Sequence, residues 1–390
     1  MDHRARGRER RGPSLTVATV VLLGAGAGYG GGNIGPMTSQ IASRFGVSLS
    51  VVGLTMTVFF ATITAVTLCS AQILRRLGPR AAIALCCALS GLGNVVCAIS
   101  PSFAGVLVGR GVVGIGAGLA FVIGPVVARE HGGARLVGAF GAAVTLGVAL
   151  ALGIGSVLAS ASVSWRVAFW ISALIGAAAL ATLPRRLPGA TGAQPRRAGF
   201  VSTALAMPAM WQLIALFIAA NGITIVVSSW LIQYLVNHGE HRWIAGALGF
   251  VLFAVTAGVR EFSGQLAVGS PEAQRLAAAG PLLTAAGLAG LAVDTAALPA
   301  LAWVILMGAG FALPYALVLE RAQRLFPDAR AEVIAVLQTG PNVVPMAVIP
   351  AVGAALDAGD GAIAWLALAA FLVVAALLNL RAPRPAPAYP

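Results

Sequence analysis

The chain has 390 residues, of which 59% are hydrophobic and only 9% charged, and its mean hydropathy is +0.92. A soluble domain carries roughly 25% charged residues, so this composition excludes a soluble globular protein and leaves room for roughly a dozen helices of ~20 apolar residues, each long enough to cross a bilayer. The formal charge of +13 comes from 25 arginines, without a single lysine, set against 12 acids; the arginines fall in short, spaced groups that set topology and do not form a nucleic-acid surface.

In chain order, the basic leader DHRARGRERRGPS precedes an apolar run of more than twenty residues that has no small-residue cleavage site. This predicts a retained first helix instead of a cleaved signal peptide. Apolar runs separated by charge, proline or polar clusters then predict spans near 15–37, 49–74, 80–99, 103–128, 136–159 and 165–183. After a polar break they resume near 209–236, 244–268, 276–295, 299–320, 333–356 and 362–380, the ninth being rich in Ala and Gly. The break from Pro184 to Pro208 carries four arginines with several Pro and Gly, the composition of a flexible linker. The expected fold class is therefore an all-α integral membrane protein of twelve transmembrane helices in two pseudo-symmetric six-helix bundles. Residues 1–183 form the first bundle with its leader, 184–208 the linker, 209–381 the second bundle, and 382–390 a Pro-rich disordered tail. The four cysteines lie in apolar stretches without metal-ligand spacing and read as packing residues. His238 and His241 sit in a loop and do not by themselves make a metal site. No metal or cofactor is expected.

With a cytoplasmic amino terminus, twenty arginines fall on inner segments. Only Arg44, Arg166 and Arg242 fall on outer ones, and Arg110 and Arg260 lie inside spans. That bias places both termini in the cytoplasm and requires an even number of spans. Ser70-Ala71-Gln72-Ile73-Leu74 ends the second predicted span and Ser263-Gly264-Gln265-Leu266-Ala267 the eighth, an echo expected of duplicated halves. Duplicated halves place a substrate site near the bilayer midplane, where they meet.

Several motifs resemble the major facilitator superfamily, and the likeness covers nearly the whole chain. The loop after span two reads Ala71-Gln72-Ile73-Leu74-Arg75-Arg76-Leu77-Gly78-Pro79-Arg80. It keeps Arg76, Gly78 and Arg80 of the family's cytoplasmic gate motif but has Arg75 where the family has an acid. Arg110 with Gly114, Gly116 and Gly118 resembles the fourth-span motif, and Trp165-Arg166 with Phe169 the start of span six. The family's antiporter signature in span five is broken: Gly147 and Gly155 remain, but Ala151 and Leu152 stand between them. The resemblance implies alternating access by two rocking halves.

Arg110 is alone among uncharged residues from Arg80 to Arg129. A mid-membrane arginine costs ~2.5–3.5 kcal/mol on insertion scales, so it must face a wet cavity or a polar partner. The resemblance implies proton coupling or a conformational role for it, the alternative being a structural arginine bonded to carbonyls of the first helix. The glycines after it read as close helix packing, since a phosphate loop needs a strand. No acid lies between Glu9 and Glu130 or between Glu130 and Glu240, so proton coupling or a conformational switch falls to Glu261 with its neighbour Arg260 in span eight, the alternative being a locked, structural ion pair near the membrane edge. Polar residues at helical spacing mark candidate cavity faces: Tyr29 and Asn33 in span one, and Asn221, Thr224 and Ser228 in span seven. Because spans one, four, seven and ten line the cavity in the family, the resemblance adds Met307, Phe311 and Tyr315, with Gln338 and Asn342 from span eleven. Each of these can equally bond a neighbouring helix.

The expected function is a secondary transporter of a small, amphipathic organic molecule in the cytoplasmic membrane, working as a monomer by proton-coupled efflux. Uptake of a small anion or metabolite is the alternative within the class. A membrane enzyme would need clustered His, Cys or acids, and a sensor would need a soluble domain. ATP-binding signatures are absent from the sequence, so an ion or substrate gradient supplies the energy. The expected partners are the substrate, protons and the lipid bilayer, with no nucleic acid.

Overall fold

The computed structural model describes residues 3–67, 69–185, 187, 200–266, 272–326 and 330–380, and among them every regular element is helical. Ten helices are long and apolar enough to cross a membrane: Leu15–Phe45, Leu49–Thr67, Gln72–Ile99, Phe103–Gly133, Arg135–Ser160, Pro208–Asn237, Arg242–Arg260, Ala297–Leu325, Val336–Ala358 and Gly361–Asn379. Two shorter apolar helices, Arg166–Ala181 and Ala278–Val293, occupy the sixth and ninth places, and with them the chain has the expected twelve spans. Helices suit this sequence because lipid offers no partner to a free backbone N–H or C=O, so each segment must satisfy its own.

Boundaries follow local chemistry. The first helix ends at Gly32, a short 3-10 turn begins at Gly35 with Pro36 at its start, and a further helix Thr38–Phe45 closes at Gly46. Gly46 takes a left-handed conformation, φ 63°, and its neighbour Val47 donates back to the Ala42 carbonyl. The first span thus runs eight residues past the expected end at 37. Gly133, at φ 61° and ψ −155°, separates the fourth and fifth spans.

The second span is interrupted after Thr67, where the Cys69 N–H bonds the Val66 carbonyl, and resumes at Ser70, whose Oγ donates to the same carbonyl. The chain reverses only at Gly78, φ 75° and ψ 165°, followed by Pro79, so Ser70–Leu74 stands on the second-span side of that bend. The proposed counterpart at 263–267 runs off the described residues after Leu266. Part of the linker, moreover, is helical: Phe200–Leu205 packs Ala204 into a cluster with Met210, Phe217 and Leu337. The remainder of 188–199 and the tail 382–390 lie outside the described residues.

Within the first six spans, the first packs on the fifth, the fourth on the second and third, and the sixth on the third. Within the last six, the tenth packs on the eighth and ninth and the twelfth on the ninth. Close crossings are made by glycine. A Cβ on Gly93 would lie 2.8 Å from the Gly109 carbonyl, and one on Gly109 would lie 2.8 Å from that of Gly93. Gly280 and Gly310 approach each other in the same reciprocal way, at 2.7 and 2.6 Å. These pairs join spans three and four and spans nine and ten, equivalent positions in a six-plus-six arrangement.

Candidate functional site

Arg110 is completely buried. Its Nη1 donates to the Gly30 carbonyl at 2.7 Å and to Asn33 Oδ1 at 3.4 Å, and its Nη2 to Met56 Sδ at 3.2 Å. The guanidinium carbon also lies 4.3 Å from the centre of the Phe59 ring. The first helix ends two residues after Gly30, and carbonyls of a last turn need donors from elsewhere; Arg110 supplies one. Asn33 passes the network on, donating through Nδ2 to Ser172 Oγ at 3.2 Å. Spans one, two, four and six therefore converge on one guanidinium. A hydrogen bond to a charged group contributes about 1.5–3 kcal/mol, so these contacts together offset the cost of placing the arginine in the membrane. Of the two environments the sequence allows, wet cavity or polar partner, Arg110 has the second.

Tyr29 lies one turn before Asn33, 1% exposed, and its hydroxyl is buried without a partner. In span seven, Thr224 and Ser228 are both buried and spend their hydroxyls on their own helix, on the Ala220 and Ile225 carbonyls. Asn221 differs. It is half-buried and sits on a π-helical turn, Ile218–Gly222, that packs against the tenth and eleventh spans. Such turns insert one residue into a helix and re-aim the side chains around it.

In span ten, Met307 and Phe311 are fully buried, and Met307 packs on Gly287 of the ninth span. The resemblance points to span ten as a whole, whereas packing decides which of its faces is open. Tyr315, one turn further on, is half-buried between the Phe217 ring, 5.3 Å away, and the Arg260 guanidinium, 4.2 Å from the tyrosine ring centre. Gln338 and Asn342 are half-buried in span eleven. The second half thus presents an aromatic and cationic group with amides on the adjoining helices. Glu261 lies on the helix Arg242–Leu266, and its side chain is outside the described residues.

Of the gate motif, Arg76 and Arg80 are exposed and Gly78 kinks its helix at φ 75° and ψ 165°. Arg80 Nε donates to the Pro184 carbonyl, a contact inside the first half. Other hydrogen bonds at the end carrying the termini also stay within a half: Thr19 to Thr182, and Arg321 to Asn379.

The opposite, loop end is joined across the halves. Thr38 donates to Gln233 Oε1 at 3.1 Å, and Arg242 donates to the Pro36 carbonyl and Ser39 Oγ at 3.1 and 3.0 Å. Thr57 donates to the Met346 carbonyl at 2.7 Å, and the N–H groups of Leu49 and Ser50 donate to Asp357. From Leu49 to Thr57 the seal follows about 12 Å of span two, at 1.5 Å per residue. Sequence reasoning missed all of these partners, because a cross-half contact leaves no periodic signal. A shallow recess of about 530 Å³ at the same end, between Gln40, Arg44 and Arg166, holds none of the anticipated site residues.

A family model described as Major Facilitator Superfamily matches residues 20–348. Among solved structures, the chain is similar to a D-xylose-proton symporter, at 17% identity and a TM-score of 0.79, covering 94% of this chain and 97% of that one. It is similar to a bacterial homolog of the human lysosomal transporter Spinster in an inward-facing and occupied conformation, at 19% identity and 0.76, covering 94% and 96%. It is also similar to a POT family transporter in complex with a thioalcohol conjugated peptide, at 14% identity and 0.75, covering 95% of each chain. No curated protein matches.

Proposed function

The chain belongs to the Major Facilitator Superfamily, and we propose that it is a secondary active transporter that exports a small, amphipathic organic molecule across the cytoplasmic membrane in exchange for protons. The observation that carries this reading is the seal at the loop end, where, among the described residues, the hydrogen bonds between the halves lie. The halves hold each other at the loop end, through Thr38, Thr57, Arg242 and Asp357, while the hydrogen bonds named at the other end stay within a half. A carrier that rocks about a midplane site takes up such a state when it faces the side of its termini. The arginine bias assigns that side to the cytoplasm.

Substrate contacts fall to the half-buried groups Asn221, Tyr315, Gln338 and Asn342, which combine an apolar body with a few polar atoms. Arg110 acts as a fixed joint of the first half, since its Nη1 is committed to Gly30 and Asn33 of span one and its Nη2 to Met56 of span two. This weakens the reading of anion uptake, which draws on both intramembrane guanidiniums. Proton exchange rests on Glu261, the one acid well inside a predicted span.

Flux of labelled candidates in proteoliposomes, with and without an imposed pH gradient, tests the proposal. A gradient-stimulated flux that Glu261→Gln uncouples, leaving exchange that ignores pH, is the expected result. Flux by the parent protein that is indifferent to the gradient would remove proton coupling, and stimulation undiminished in Glu261→Gln would remove Glu261 from it.

A further inference from the structure

The start of span two is capped from two places. Ser48 precedes the helix and its Oγ accepts the Val51 N–H at 3.2 Å, the usual service of a serine at that position. The N–H groups of Leu49 and Ser50 have no acceptor in their own half. They donate to the two carboxylate oxygens of Asp357, each at 3.0 Å. Asp357 stands in the last turn of span eleven, Arg330–Ala358, more than 300 residues away and in the other half.

The backbones at this point are as close as glycine permits. A Cβ on Gly353 would lie 2.9 Å from Ser50 Cα and 2.9 Å from the Trp230 ring, and one on Gly53 would lie 3.0 Å from Pro350 Cα. Two short residues thus bring span eleven onto span two, and a carboxylate completes the contact at the positive end of the helix. A carboxylate on backbone N–H groups makes stronger bonds than a neutral acceptor. Among the described residues, Asp357 is the acid whose hydrogen bonds cross between the halves.

We propose that Asp357 is the electrostatic latch of the loop-end gate: its carboxylate caps span two while the gate is shut, and both bonds must break for the gate to open. The role rests on the alternating-access reading and deepens it, assigning to one residue part of the bias between the two states. Ser48 keeps span two capped when the gate opens, so the helix persists while the latch releases. Asp357 is a positioning residue and does not touch substrate.

The test uses spin labels at Ser43→Cys and His241→Cys, exposed positions on the two sides of the gate, in a Cys69→Ser background that removes the exposed native thiol. Distances are read in proteoliposomes without substrate. Because Asp357 is exposed, Asp357→Ala is expected to raise the population of a longer distance on the order of twofold to fivefold, and Asp357→Asn, which keeps one neutral acceptor, less. Ser48→Ala removes only the local cap and is expected to leave the distribution as in the parent. Gly353→Val wedges the same contact open by bulk and reports whether an open state exists. If Gly353→Val lengthens the distance and Asp357→Ala does not, the latch is wrong and alternating access stands. Equal lengthening in Ser48→Ala and Asp357→Ala would reduce the effect to fraying of span two and also overturn the latch. A single short distance in every variant, Gly353→Val included, would instead remove the alternating-access reading on which the latch depends.

Discussion

Arg110 illustrates what one residue has to resolve inside a membrane protein. Its charge is costly in lipid, and the first half offers it no described acid as a counterion. It is held instead by the Gly30 carbonyl, the Asn33 amide, the Met56 sulfur and the Phe59 ring. Replacing it with alanine strands a buried carbonyl, at a cost of about 1–3 kcal/mol, and opens a void besides. We therefore expect Arg110→Ala to lower the unfolding temperature in detergent and to lose transport together with stability. Arg110→Lys keeps the charge but lacks the planar fork that reaches several partners at once, so it should fall between alanine and the parent in both measurements. An Arg110→Ala protein with normal unfolding temperature and normal flux would show that the network carries neither function. The position of this arginine was legible in the sequence because a lone charge in an apolar run stands out. A carbonyl of the first helix was among the partners the sequence allowed, but that it is Gly30, and that Met56 and Phe59 join it, was not legible, since these look like ordinary helix and core residues until the chain is folded. Asp357 was equally silent: nothing local to an acid near a helix end names the distant helix it will cap.

At the scale of elements, hydropathy located all twelve spans, because apolar length is a property of a single segment. It placed their ends less well where the backbone changes direction without changing polarity. The first span continues through Pro36 to Gly46, and the second is interrupted after Thr67 before it reaches the bend at Gly78. The glycines were recognisable as packing residues, yet which of them matter is a question of what lies opposite. A Cβ on Gly28 would fall 1.9 Å from the Val144 carbonyl of span five, whereas nothing lies within 4 Å of one on Gly31, three residues along the same helix. Overpacking a close contact typically costs 1–3 kcal/mol, while alanine in place of an unhindered helical glycine gains helix propensity. Thermal unfolding should therefore show Gly28→Ala destabilised and Gly31→Ala equal to the parent or better. Equal behaviour of the two variants would mean that spans one and five are not pressed together at Gly28. The reciprocal pairs Gly93/Gly109 and Gly280/Gly310 extend the argument to symmetry. They are the structural counterpart of an internal duplication that the short sequence echo at Ser70–Leu74 suggested.

For the whole molecule, the decisive property is that, among the described residues, the hydrogen bonds between the halves gather at one end. Spans one and seven, two and eleven, and five and eight meet there, through small residues and a handful of polar bonds that can be exchanged for water. None of these pairings was legible in the sequence, which records periodicity along a helix but not which helix of the other half lies beside it. If transport requires the loop end to open, tying it shut must stop transport. Thr38 and Gln233 face each other across the halves at 3.1 Å, and Thr19 and Thr182 lie 3.2 Å apart within the first half near the opposite end. Both pairs, changed to cysteine in a Cys69→Ser background and bridged by a short thiol crosslinker that a reductant can cleave, receive the same chemistry at two different places in the machine. Bridging 38 to 233 is expected to abolish flux in proteoliposomes, with recovery on reduction, because the halves can no longer part at the loop end. Bridging 19 to 182 is expected to leave flux near that of the uncrosslinked protein, because those helices move as one body. Undiminished flux with 38 and 233 quantitatively bridged would mean that substrate passes without the loop end opening, and the rocking of two rigid halves would have to be given up.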